Sequence, residues 1–237
     1  MRILLLRSLI GCLLFAAGLA LANEAKVKRT LNARLPGAVI ENVVRTPIAG
    51  FYEVQIDGEI VYTDEKAEYF FSGSIFDIRT LPPRNITEGN AGRATAGVLA
   101  SASRDSAIKL VKGRGERVMY TFEDPNCSFC KALHKELARL DNVTIYIFPT
   151  PLISQNSADK SVYAWCAADR AGAWAAFMAD GALPANAQGC PHPLQKISAL
   201  AKRLDITSTP VIFFGDGRRI NGFVAADVLE RGLASGK

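Results

Sequence analysis

Past residue 22 the sequence has no apolar run of membrane-spanning length, which leaves no candidate transmembrane helix there. Nowhere do Lys and Arg cluster with interleaved aromatics, so nucleic-acid binding is not indicated. Neither an internal repeat nor a low-complexity tract is present. Cysteine is scarce, five in 237 residues, and that scarcity makes the position of each one informative. The hydrophobic share, 49%, is enough for one large or two small domains.

The first residues set the compartment. Met1-Arg2 and Arg7 make a basic start, residues 8–21 are almost wholly apolar, and Ala20-Leu21-Ala22 precedes polar Asn23-Glu24. This is the layout of a secretory signal peptide cleaved after Ala22. An exported, soluble mature protein is expected. Losing residues 1–22 removes two arginines and no acid, so the net charge falls from +5 to +3, a property of solubility rather than of partner choice. Cys12 leaves with the signal, and Cys127, Cys130, Cys166 and Cys190 remain. An even number in an oxidising compartment suggests two pairs. Cys127 and Cys130 pair locally or stay a dithiol, and Cys166 and Cys190 are left for each other.

Residues 23–80 read as a small α+β domain. Val27, Leu31 and Leu35 give one apolar helix face over residues 24–35, and four short runs follow that are rich in Val, Ile, Tyr and Phe. Asp57-Gly58 marks a hairpin between two of them. So small a domain buries little core, and pairing with a second copy would make up the deficit. Residues 81–115 read as a partly helical linker: Leu81-Pro82-Pro83 breaks regular structure, and Val98-Leu99 with Ile108-Leu110-Val111 give a modest helical period. Residues 116–237 read as an α/β domain, with strands at 117–122, 143–148, 211–214 and 218–221. Helices are expected at 126–140, 157–180, 194–204 and 224–233. That is the order of a thioredoxin fold with a helical insertion.

Cys127-Ser128-Phe129-Cys130 falls where a strand and short loop give way to a helix. There, free backbone N–H groups and the helix dipole favour a thiolate. Cys127, at the helix start, is expected to stay exposed and attack a disulfide. Cys130, one turn in, faces the body and resolves the product. A zinc clip would need four ligands. Cys127, Cys130 and His134 supply at most three, and His134 is expected at the surface, so neither a metal nor another cofactor is implied. Thr209-Pro210 precedes the apolar strand 211–214, where a proline is otherwise only a boundary marker.

The run Phe122 to Lys131, the later Ala164-Trp165-Cys166-Ala167, and Thr207-Ser208-Thr209-Pro210 together resemble the periplasmic disulfide isomerases of the DsbC/DsbG type. Pro47 to Val54, Val61-Tyr62-Thr63 and Ser74 to Ile78 resemble that family's N-terminal dimerisation domain. The resemblance covers essentially the whole mature chain. It implies a V-shaped homodimer that reshuffles non-native disulfides in misoxidised exported proteins and is kept reduced by a membrane-bound thiol reductase of the DsbD type. By position, Cys127 is then the nucleophile and Cys130 the resolving thiol. Thr209 and Pro210, in the cis form, face the substrate, and Cys166 with Cys190 match the family's structural disulfide. The dipeptide Ser128-Phe129 is neither of the family's commonest pairs, and Thr121 stands where thioredoxins keep a buried acid, which argues against a simple thioredoxin-like reductase. The alternatives are a reductase of disulfides or sulfenic acids on folded clients, and a dimeric chaperone whose redox activity is secondary.

Overall fold

The computed structural model describes residues 23–181 and 190–234. The signal segment lies outside them. The chain divides into two units, Met1–Thr87 and Glu88–Lys237.

In the first unit, helix α1 (residues 23–34) lies against an antiparallel meander. Its strands are β1 (Ile40–Arg45), β2 (Phe51–Ile56), β3 (Glu59–Asp64) and β4 (Phe70–Ser72), paired in that order. The β2–β3 turn is Asp57-Gly58, both at positive φ, the conformation that suits the twist of a two-residue hairpin. Val27 and Leu31 of α1 pack on Ile40, Val43, Tyr52, Val54 and Val61, and strand alternation sends Glu53 and Tyr62 to the opposite face. There the Tyr62 hydroxyl donates to Glu53 Oε2 at 3.1 Å. Its ring stacks on Phe71 with centroids 5.5 Å apart. A two-stranded ribbon, β5 (Phe76–Asp77) with β6 (Arg84–Asn85), closes the unit.

Helix α2 (Ile86–Ser106) runs across the boundary. The second unit then orders β7 (Ile108–Lys112), β8 (Arg117–Glu123), α3 (Ser128–Leu137), β9 (Val143–Pro149), α4 (Gln155–Cys166), α5 (Arg170–Asp180), α6 (Leu194–Arg203), β10 (Val211–Phe214), β11 (Arg219–Asn221) and α7 (Ala226–Ala234). The sheet order is β11-β10-β8-β9-β7. Strands β8 and β9 are parallel, and the other neighbours antiparallel. With α4 to α6 between β9 and β10, this is the thioredoxin order with its helical insertion. The sheet is covered on both faces. Strand β8 sends Met119 to a core with Cys130, Leu133, Trp174, Phe177 and Leu229. It sends Tyr120 and Phe122 the other way, to Leu99, Phe148, Ile197 and Phe213.

Two local expectations change. Ile108-Leu110-Val111 is not helical but forms β7, paired with β9 from Ile108↔Ile147 to Lys112↔Val143. Five residues carry both periods equally well; Ile108 is buried and Lys109 exposed, and the open edge of β9 decides between them. Residues 157–180 are two helices rather than one. The backbone leaves helical geometry at Ala167 (ψ 147°), and Asp169 accepts from Gly172 N–H at 3.0 Å to start α5, the ordinary role of an N-cap aspartate.

Candidate functional site

Strand β8 ends on Glu123, and Asp124-Pro125-Asn126 turns the chain into α3, whose N-cap is Cys127. The turn is held from beneath. Buried Asp124 accepts from the N–H of Asn126 at 2.7 Å, Leu152 at 2.8 Å and Ile153 at 2.9 Å. That one carboxylate ties the cysteine loop to the β9–α4 loop. Asn126 extends the tie, donating to Ser157 Oγ at 2.9 Å and accepting from Lys160 Nζ at 2.7 Å.

The four residues picked from sequence as the reacting and substrate-facing group come together. Cys130 N–H donates to Cys127 Sγ at 3.3 Å, and the Cys127 thiol donates to the Thr209 carbonyl at 3.4 Å. The Thr209-Pro210 bond is cis, and the Pro210 carbonyl accepts from Gly222 N–H at 2.8 Å. Cys127 is less open than expected, 7% exposed, because it sits between the helix start and the Thr209 turn. Around it Phe129, Leu152, Ile153 and Phe223 are exposed. Cys130 has no exposure at all. Burial pushes its thiol up from the ordinary range, and the Glu123 charge and the Cys127 contact add to the rise. Cys166 and Cys190 are joined to each other, with S–S 1.97 Å, and the bond fastens the end of α4 to the segment before α6.

Two residues the sequence reading placed elsewhere, or passed over, line the interior behind Cys130. His134 is buried rather than at the surface, its Nε2 3.3 Å from Glu123 Oε2. Glu123 is fully buried and its Oε2 accepts from Trp174 Nε1–H at 3.0 Å. Burial raises the Glu123 carboxyl, but the His134 charge and hydrogen bond, with the Thr121 and Trp174 donors, outweigh it and leave the carboxyl below its usual range. The buried acid expected to be missing at Thr121 is thus supplied two residues later. Strand periodicity carried the signal: Met119, Thr121 and Glu123 share one face, and α3 covers that face. Among the described residues no three His, Cys, Asp or Glu side chains are grouped to hold a metal.

Comparisons agree along the chain. Residues 18–88 match the model of the disulfide bond isomerase protein N-terminal domain, and residues 104–237 that of a thioredoxin-like domain. The chain is 39% identical over 207 residues to the probable thiol:disulfide interchange protein DsbC of Bordetella parapertussis, covering 87% of this chain and 73% of that one. It is 26% identical over 212 residues to the thiol:disulfide interchange protein DsbC of Dickeya dadantii, covering 87% and 85%. A solved disulfide interchange protein from Neisseria gonorrhoeae superposes with TM-score 0.53 at 32% identity, over 55% of this chain and 94% of that one.

Proposed function

From the premise that this chain belongs to the DsbC family of thiol:disulfide interchange proteins and is a thiol-disulfide oxidoreductase, we propose that Cys127 is its nucleophile and Cys130 its resolving thiol. The carrying observation is the asymmetry of the pair. Cys127 caps a helix and accepts an amide proton, whereas Cys130 is fully buried with its thiol held protonated. A sulfur at a helix start is the one placed to attack.

The reaction is thiol-disulfide exchange on disulfide-containing exported proteins in the periplasm. The Cys127 thiolate attacks one sulfur of a client disulfide, the Cys127–client bond forms, and the other client sulfur leaves as thiolate and takes a proton. A client thiol then attacks the mixed disulfide and regenerates Cys127. The client is rearranged with no net electron transfer, which is isomerisation. Otherwise Cys130 attacks Cys127, and the client leaves reduced by two electrons. The oxidised pair must then be returned to the dithiol by two electrons, for which a membrane-bound thiol reductase of the DsbD type is the proposed source. Thr209 and Pro210 present backbone beside Cys127 to the bound client strand.

The working unit is a homodimer joined through the first unit. Strand β4 is an edge strand, and Tyr69, Phe70, Phe71 and Phe76 on and beside it are exposed, which favours burial against a second copy. Cys130→Ser is the experiment. It is expected to trap a covalent client adduct that reductant releases, while Cys127→Ser forms none. An adduct formed equally well by Cys127→Ser would overturn the assignment.

A further inference from the structure

Strand β11 holds the Thr209-Pro210 turn from both sides. On the exit side Gly222 N–H donates to the Pro210 carbonyl at 2.8 Å, and Asn221 pairs with Val211, the first residue of β10. On the entry side the Arg219 guanidinium spans the end of α6. Its Nη1 donates to the Leu204 carbonyl at 2.8 Å and its Nη2 to the Asp205 carbonyl at 3.0 Å. Its Nε donates to Asn221 Oδ1 at 2.7 Å, so the strand that binds the exit also fixes the fork that binds the entry. Only Ile206, Thr207 and Ser208 separate Asp205 from Thr209.

Arg219 is exposed, yet its hydrogen bonds among the described residues go to two backbone carbonyls and an amide rather than to an acid. Holding a long side chain in one such arrangement costs rotamer freedom. Closing α6 does not require it, because Lys202 and Arg203 already place positive charge in the last turn, the ordinary complement to a helix C-terminus. What the fork reaches beyond the helix is Asp205, whose φ of 48° puts a residue with a Cβ in the left-handed region. Such a backbone persists only where its surroundings over-determine it, and it recurs at ligand clamps. Ile206, next in line, is buried, and its N–H donates to the Ala201 carbonyl at 2.8 Å. Thr207 and Ser208 are exposed, so the approach to Thr209 is fixed at Asp205 and Ile206.

The consequence falls on Cys127. Its thiol donates to the Thr209 carbonyl at 3.4 Å, and a client strand laid on the turn must bring its own sulfur into line with the same atom. Resting on the assignment of Cys127 as nucleophile and of Thr209 and Pro210 as the client-facing backbone, we propose that Arg219 is a positioning residue for client capture. It acts through the chain from Asp205 to Thr209. By clamping the Asp205 carbonyl it sets where the Thr209 carbonyl stands, and so the angle at which a client disulfide meets Cys127. Orientation of this kind matters most for a large reactant with many wrong approaches, and least for a small reagent that needs no docking.

Arg219→Met keeps the apolar stem and removes all three donors. Arg219→Lys keeps the charge, but an ammonium does not reproduce the planar fork. Both are tested in Cys130→Ser, where capture is read without resolution. Capture of a peptide closed by one internal disulfide is followed by rapid acid quench, and alkylation of Cys127 by iodoacetamide is followed in a parallel sample. The ratio of capture to alkylation is expected to fall about tenfold in Arg219→Met and to lie between that and the native value in Arg219→Lys. A general loss of stability would leave this ratio in the folded protein unmoved, so the ratio separates positioning from stability. An unchanged ratio in Arg219→Met overturns the role of Arg219. Full recovery in Arg219→Lys overturns it too, since a point charge would then suffice. Should Arg219→Met not fold, a native ratio in Arg219→Lys overturns it instead. Absence of any captured peptide in Cys130→Ser with Arg219 intact, while Cys127 is still alkylated, refutes the assignment of Cys127 as nucleophile, a failure distinct from that of Arg219.

Discussion

Removing the Asp124 carboxylate should loosen the whole cysteine loop. In Asp124→Ala three backbone N–H groups, those of Asn126, Leu152 and Ile153, lose an acceptor that now sits fully buried at 2.7, 2.8 and 2.9 Å. Hydrogen bonds to a charged group contribute about 1.5–3 kcal/mol each. Full loss of all three would amount to about 4.5–9 kcal/mol by that scale. The side chains of Leu152 and Ile153 are exposed, however, so water can reach part of that loop and recover some of the loss. The net expectation is about 3 kcal/mol. Both tryptophans, Trp165 and Trp174, belong to the second unit, so urea unfolding followed by their fluorescence reads this unit alone. The midpoint should fall with the slope unchanged. Iodoacetamide should also discriminate the native Cys127 site from the loosened one, since Cys127 N–H donates to the Asp124 carbonyl at 3.0 Å and its setting follows the turn. Asp124→Asn should cost less, because one oxygen survives. A shift below about 1 kcal/mol in Asp124→Ala, within the range of an ordinary surface change, would refute the claim that this carboxylate joins the two loops.

Three further outcomes are expected. Replacing Cys166 and Cys190 by Ser opens a loop with sequence separation 24 and should destabilise the second unit by about 3–4 kcal/mol in the chain-entropy model; a guanidinium midpoint equal to that of the native chain would sink this. Gly232→Ala would set a Cβ 2.0 Å from the Phe214 ring, so α7 must shift off β10 at a cost of about 1–3 kcal/mol, readable as a lower melting temperature. In the first unit, hydrogen bonds from the Arg79 side chain and backbone hold Asp77 down from 3.8 to about 2. Because the folded value is the lower one, the stabilisation is complete above the unfolded value and lost as pH falls from near 4 towards 2. Carboxyl NMR of Asp77 should titrate near 2, and a midpoint near 4 would show that the Arg79 contacts are not made in solution.

The division between what was legible and what was not follows sequence distance. Cys127 and Cys130 could be read because only two residues separate them and the helix that orients them begins within the same stretch. The Asp57-Gly58 hairpin and the α1 stripe of Val27 and Leu31 were legible for the same reason, since period and turn chemistry act over a few residues. Ile108 to Lys112 defeated a local reading because five residues fit either period, and only pairing with β9, more than thirty positions on, made them a strand. The helix end at Ala167 and the cap at Asp169 were local signals, masked by apolar residues on both sides.

By itself the sequence determined the order of elements, the candidate cysteines and the Thr209-Pro210 turn, since each is written in neighbouring residues. Only the tertiary structure decided that Thr209, 82 positions from Cys127, stands beside its sulfur. The same holds for His134, turned inward, and for Glu123, a single acid at the end of an apolar strand that acquires its meaning from Trp174, 51 positions away. Burial and electrostatics are properties of what packs around a side chain, and packing partners are chosen by the fold rather than by adjacency in the chain.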